Sequence, residues 1–178
     1  MDTSLEYQAV IAECRTLFKK KMGDYGSAWR ILRTASMTDQ IFIKANRIRS
    51  IQMAGIQHVE EDIYGEFIAI VNYSIMALVQ LELSDTIKPD LSLEKALEFY
   101  DKYAQEAHDL MMKKNHDYGE AWRDMRQCSF VDIILQKIFR IKQIEDNGGQ
   151  TEVSEGVDAN YFDMINYAVF ALIQNKQL

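Results

Sequence analysis

The spacing of apolar positions divides the chain into long segments with helical period. Tyr7, Val10, Ile11, Cys14, Leu17 and Phe18 fall at i, i+3, i+4 and i+7 steps, which predicts a first helix from about Ser4 to about Lys21. Thr3-x-x-Glu6 reads as its capping box, and Gly23-Asp24-Tyr25-Gly26 as its stop. A second helix is predicted from near Ser36 to about Ala54, with Ser36-x-x-Asp39 as its box. A third, from about Glu60 to Glu82, is apolar nearly all round through its middle, so it should be the most buried. After a link from Ser84 to Leu91, Ser92 caps a fourth helix, Leu93 to Lys114, with the stripe Tyr100, Tyr103, Ala104, Ala107, Leu110 and Met111. A fifth follows Ser129-x-x-Asp132, and a sixth runs from about Val157 to Asn175. The one proline and eight glycines fall mostly at the joints, which favours an all-α chain with short helical pieces after each Trp.

The order of these elements repeats because the chain is duplicated. Lys113-Lys114-Asn115-His116-Asp117-Tyr118-Gly119-Glu120-Ala121-Trp122-Arg123 restates Lys20-Lys21-Met22-Gly23-Asp24-Tyr25-Gly26-Ser27-Ala28-Trp29-Arg30 at an offset of 93. Beyond the Asn147-Gly148-Gly149-Gln150 joint the offset becomes 94, where Asn72, Tyr73 and Gln80 meet Asn166, Tyr167 and Gln174. A repeat of this kind decides the fold reading. The expected architecture is a helical bundle of two tandem three-helix repeats, residues 1–83 and 92–178 with a linker at 84–91. They share one core about a pseudo-twofold axis, as the two chains of a homodimer do. The third helix of each repeat should lie at that core, bringing Asn72 and Asn166 toward the middle.

Composition narrows the setting. With 48% apolar and 26% charged residues in 178, the chain suits one globular unit. A net charge of −7 argues against coating a long nucleic acid through its phosphates, whereas a free nucleotide needs only a local cluster of cations. Cys14 and Cys128 do not match between repeats, which fits a reduced, cytoplasmic protein without a zinc cluster. The apolar run Phe67 to Val79, broken by Asn72 and Ser74, is too short to span a bilayer.

The duplicated polar set carries the candidate chemistry. It comprises Lys21, Asp24, Arg30, Lys44, Arg47, Glu61 and Asn72, then Lys114, Asp117, Arg123, Lys137, Arg140, Glu155 and Asn166. Lys44 with Arg47, and Lys137 with Arg140, lie three apart on one helical face, a spacing that suits a phosphate or ion pairs to the acidic third helices. Asp163 and Asn166 stand together on an otherwise apolar helix, with Glu155 and Asp158 before them. A buried carboxylate needs a cationic partner, a proton or a metal. Two or three carboxylates with a carboxamide suit Mg²⁺, while either Asn could equally bridge helices inside the core. The first repeat has Ala69 where Asp163 stands. The second pocket alone should therefore be fully acidic, unless Glu61 or Glu66 completes the first. Trp29, Trp122, Tyr25 and Tyr118 are either base-stacking platforms or core plugs. Asp39 and Asp132 read as caps.

The pattern Lys114 to Gly119, Lys137 to Arg140, Glu155 and Asp163-Met164-Ile165-Asn166-Tyr167 resembles the nucleotide modification associated domain 1 family, a domain of unknown function, here present twice. The resemblance implies an all-helical domain linked to nucleotide metabolism or base modification. More loosely, acidic helices ending in Asp-x-x-Asn-Tyr are similar to the MazG-type helical nucleoside triphosphate pyrophosphohydrolases, which hold Mg²⁺ over a triphosphate. The clean Glu-x-x-Glu set of those enzymes is absent from this sequence. The expected activity is Mg²⁺-dependent cleavage between phosphates of a nucleotide. Glu155, Asp158 and Asp163 would hold the metal, and Asn166 would orient a ligand or water. Lys137 and Arg140 would neutralise phosphate charge, and Lys114, Asp117, Tyr118, Trp122 and Arg123 would complete the pocket. Lys21, Asp24, Lys44 and Arg47 would serve the first repeat. The alternative is a helical binding or assembly module without catalysis, whose duplication builds one stable bundle as a monomeric pseudo-dimer or a homodimer.

Overall fold

The computed structural model describes residues 2–55, 60–83, 88–153 and 155–177, without the side chains of 60–62 and 177. Among the described residues six helices form the fold: α1 (Thr3–Tyr25), α2 (Thr34–Ala54), α3 (Glu60–Glu82), α4 (Leu93–Tyr118), α5 (Gln127–Asp146) and α6 (Val157–Gln177). Short 3-10 turns, Ala28–Ile31 and Ala121–Asp124, carry the two tryptophans. No strand occurs among the described residues.

The helix ends differ from the sequence expectation in an instructive way. Asp2, not Thr3, caps α1, accepting from the amides of Ser4 and Leu5. A carboxylate there also meets the positive end of the helix dipole. α1 and α4 continue through the repeated Asp-Tyr pair and stop at Gly26 and Gly119, whose φ values of 58° and 66° suit glycine. α2 and α5 begin two residues before Ser36 and Ser129, after Arg33 and Arg126, with no side-chain cap. The proposed capping boxes are therefore inside the helices. Asp39 and Asp132 do something else: Asp39 pairs with Lys142 at 3.1 Å and Asp132 with Arg49 at 3.9 Å.

Those two ion pairs cross between α2 and α5 in matching registers, because Arg49 and Lys142 are equivalent positions. The same relation recurs in the core. Tyr7 donates to Asn166 Oδ1 at 2.7 Å, and its equivalent Tyr100 donates to Asn72 Oδ1 at 2.8 Å. Asn72 Nδ2 donates to the Cys14 carbonyl and Asn166 Nδ2 to the Ala107 carbonyl, both at 3.1 Å. These paired bonds define the pseudo-twofold axis. α3 and α6 pack on each other at the centre, α2 and α5 flank them, and α1 meets α4. One apolar cluster runs through all six helices. α3 contains a stretch, Ile63–Glu82, long and apolar enough to cross a membrane by length and composition alone. Here it is the core helix, two-thirds buried.

Candidate functional site

Each repeat encloses a cleft between the last turn of its first helix, its Trp turn and the middle of its third helix. In the first repeat Phe18, Lys21, Met22, Tyr25, Gly26, Ala28, Trp29, Leu32, Ala69, Asn72, Tyr73 and Met76 line a cavity of about 440 Å³. In the second, Met111, Lys114, Asn115, Tyr118, Gly119, Ala121, Trp122, Met125, Asp163, Asn166, Tyr167 and Phe170 line one of about 400 Å³. Every residue of the second set occupies the position equivalent to one of the first. The tandem sequence has thus produced two copies of one cleft.

A duplicated glutamine holds each Trp turn. Gln174 Nε2 reaches the carbonyls of Trp122, Arg123 and Met125 at 2.9–3.1 Å. Gln80 Nε2 reaches those of Arg30 and Leu32. A glutamine can satisfy such orphan carbonyls only from across the fold. Its retention in both repeats, at positions 80 and 174, is the sequence signal for this role.

The clefts differ in charge. Asp163 is 7% exposed; its Oδ1 accepts from Lys114 at 2.6 Å and its Oδ2 from Lys137 at 2.8 Å. Burial works against the charge of Lys114, but the bond and charge of Asp163 outweigh it and hold the ammonium above the ordinary lysine range. In the first repeat the carboxylate sits one turn earlier. Glu66 pairs with Lys44 at 3.4 Å and Arg47 at 2.7 Å, and Lys21 lines the cleft with no ion pair among the described residues. Glu66 therefore neutralises Lys44 and Arg47 but does not line the first cleft, while the side chain of Glu61 lies outside the described residues. The position of Glu66 is taken in the second repeat by buried Asn160, which donates to the Gly156 carbonyl.

The tryptophans also differ. Trp122 is buried, stacked on Phe170 with centroids 4.4 Å apart and planes 5° apart, and the Arg123 guanidinium lies 4.4 Å from its ring centroid. Its indole N–H has no acceptor among the described residues. Trp29 is only half-buried, and its N–H donates to Met22 Sδ. Met76 replaces Phe170, and Arg30 turns inward to Gln80 and Asp90. Arg123 instead turns outward to Thr3, Glu6 and Glu120.

The expected site residues are therefore only partly brought together. Lys114, Tyr118, Trp122, Asp163 and Asn166 share the second cleft. Lys137, Arg140 and Glu155 line a separate polar cavity of about 390 Å³ with Asn160, and Lys137 connects the two by its bond to Asp163. Asp24 and Asp117 are exposed on the outside of their helices and line neither cleft. Asn166 lines the second cleft, but its amide nitrogen and oxygen are each engaged, by the Ala107 carbonyl and Tyr7, so it bridges helices. The three-carboxylate metal set is not assembled. Among the described residues no three acidic, His or Cys side chains converge, Glu155 and Asp158 are exposed, and Asp163 is already neutralised by two ammonium groups.

A family model described as nucleotide modification associated domain 1 matches residues 21–81 and again 114–175, so both clefts lie inside matched segments. No curated protein and no solved structure matches the chain.

Proposed function

The chain belongs to the nucleotide modification associated domain 1 family, and we propose that it binds a nucleotide in the clefts at the ends of its first and fourth helices. The observation that carries this reading is the repeated cleft lining: a lysine, two tyrosines and a tryptophan around an apolar pocket, present twice at equivalent positions. Aromatic rings offer a stacking surface for a base, and an ammonium offers a point charge for a phosphate. Volumes near 400 Å³ fall in the usual range for small-molecule sites. The family description supports a role in nucleotide metabolism or base modification.

Hydrolysis between phosphates, in the manner of MazG-type enzymes, is the less supported form of this reading. It would set phosphates on Lys137 and Arg140 and Mg²⁺ on Glu155, Asp158 and Asp163. The donor set does not fit the cation: both oxygens of Asp163 hold lysines, and the other two carboxylates stand apart in solvent.

The test is a thermal-shift and calorimetric panel of ribo- and deoxynucleoside mono-, di- and triphosphates, run with parallel assays for released phosphate and pyrophosphate. A raised melting temperature with some nucleotide, without turnover, is the expected result. If no nucleotide shifts the transition or gives a heat of binding, the reading fails.

A further inference from the structure

Two clefts equivalent in position are unequal in what they leave free. Resting on the nucleotide-binding reading above, we infer that the working site is in the first repeat, where Lys21 and Trp29 take a nucleoside monophosphate without a divalent cation, and that Asp163 and Phe170 close its counterpart.

The charge argument comes first. An anionic ligand entering the second cleft meets a buried carboxylate, Asp163, that already compensates the charge of Lys114. In the first cleft the same position is Ala69, and no carboxylate lines the cavity among the described residues. No carboxylate pairs with Lys21 among the described residues, so its ammonium is available to an incoming phosphate group. The relocation of the carboxylate to Glu66 reinforces this, because it neutralises Lys44 and Arg47 away from the cleft. One ammonium and no acidic ligand set match a single phosphate group better than a metal-bridged triphosphate, which needs oxygen ligands for its cation.

The aromatic argument is independent. Phe170 and the Arg123 guanidinium each lie 4.4 Å from the Trp122 centroid. With both in place Trp122 is only 6% exposed. Around Trp29 neither group is present: Met76 stands for Phe170, and Arg30 is drawn into the core. Among the described residues the ring packed on it is Phe18, tilted by 58° at 6.2 Å. The half-buried indole, with Tyr25 and Tyr73 beside it, leaves a stacking surface for a base. Two separate substitutions, at positions 69/163 and 76/170, thus act in the same direction.

The experiment is isothermal titration with the common ribo- and deoxynucleoside monophosphates as probes, in EDTA and again in Mg²⁺. Wild type should bind one ligand per chain, with the same Kd in both buffers. Ala69→Asp should weaken binding by about 10-fold or more, the size of a 1.4 kcal/mol charge effect, while the isosteric Ala69→Asn stays within about 3-fold. Lys21→Met should weaken it comparably. Position 69 is half-exposed on its helix, and equal melting temperatures for the Asp and Asn variants exclude a folding artefact. The double variant Asp163→Ala/Phe170→Met should add a second site. The inference is overturned by two ligands per chain in wild type, by a Mg²⁺ requirement, or by equal weakening in the Asp and Asn variants. It is also overturned by binding that Lys114→Met abolishes and Lys21→Met leaves intact, an outcome in which the nucleotide reading survives. Absence of binding by any nucleotide, Mg²⁺ present, removes both.

Discussion

Tyr7 on α1 donates to the amide oxygen of Asn166 on α6 at 2.7 Å, a fully buried bond that joins the first repeat to the second. Its counterpart from Tyr100 to Asn72 runs the other way. Burial pushes both phenols above their ordinary range, so each remains a donor at any physiological pH. Tyr7→Phe leaves the Asn166 oxygen buried without its donor and should cost about 1–3 kcal/mol in urea unfolding. Because the bonds tie the repeats together, unfolding should stay all-or-none, with coincident transitions by circular dichroism and tryptophan fluorescence. Separate transitions for the two repeats would contradict a shared core.

The glutamines that pin the Trp turns give a second expectation. Gln174→Ala strips the carbonyls of Trp122, Arg123 and Met125 of their shared donor, at a cost of about 1–3 kcal/mol. In a Trp29→Phe background, the emission of Trp122 should shift to the red as its turn loosens from Phe170. Unchanged emission together with unchanged stability would show that the turn is held by packing alone.

Much of this arrangement was legible in the chain, and the exceptions share a cause. Local period found the helices, and the duplication found the pseudo-twofold axis and the paired clefts. What escaped depends on contacts between distant residues. Ser36 and Ser129 look like caps, yet α2 and α5 start earlier, directly after Trp turns that Gln80 and Gln174 hold from the third helices. Asp163 reads as a metal ligand until Lys114 and Lys137, from two other helices, occupy its oxygens. The same Trp-Arg pair has its arginine buried in the first repeat and its tryptophan buried in the second. The difference arises from Phe170 against Met76 and from Asp90 near Arg30, none of which is adjacent in sequence.

The lysine-neutralised state of Asp163 can be tested directly. Titrating Mg²⁺ or Mn²⁺ into wild type and Asp163→Asn should give indistinguishable heats, since the variant removes no metal ligand. The same substitution should lower stability, because two ammonium groups then face a neutral amide. A cost of about 1–2 kcal/mol is expected, less than for a wholly buried pair, since solvent screens the exposed part of the lysines; the side chain of Lys114 is 48% exposed. A metal-binding heat present in wild type and absent in Asp163→Asn would restore the carboxylate to a metal role.

Acid should loosen the seam between the repeats before it affects the core. Lys102 and Tyr103 of α4 hold the Glu82 carboxyl of α3 below its ordinary 4.5. Thr3 and Arg123 do the same for Glu120. Burial opposes the charge of Glu13, but Lys176 and Tyr64 outweigh it and hold that carboxyl low as well. Glu82, Glu120 and Glu13 each bridge the first repeat to the second. A carboxyl whose folded pKa is depressed contributes stability that is fully present above its unfolded value and lost as pH falls through the folded one. The melting temperature should therefore hold steady as pH drops toward about 5 and decline below about 4.5, the unfolded glutamate value. Glu82→Gln should lower the melting temperature at pH 7 and flatten the decline, because a group that cannot titrate takes no part in it. If the variant keeps the full acid slope of the wild type, the linkage lies elsewhere than in the α3–α4 seam.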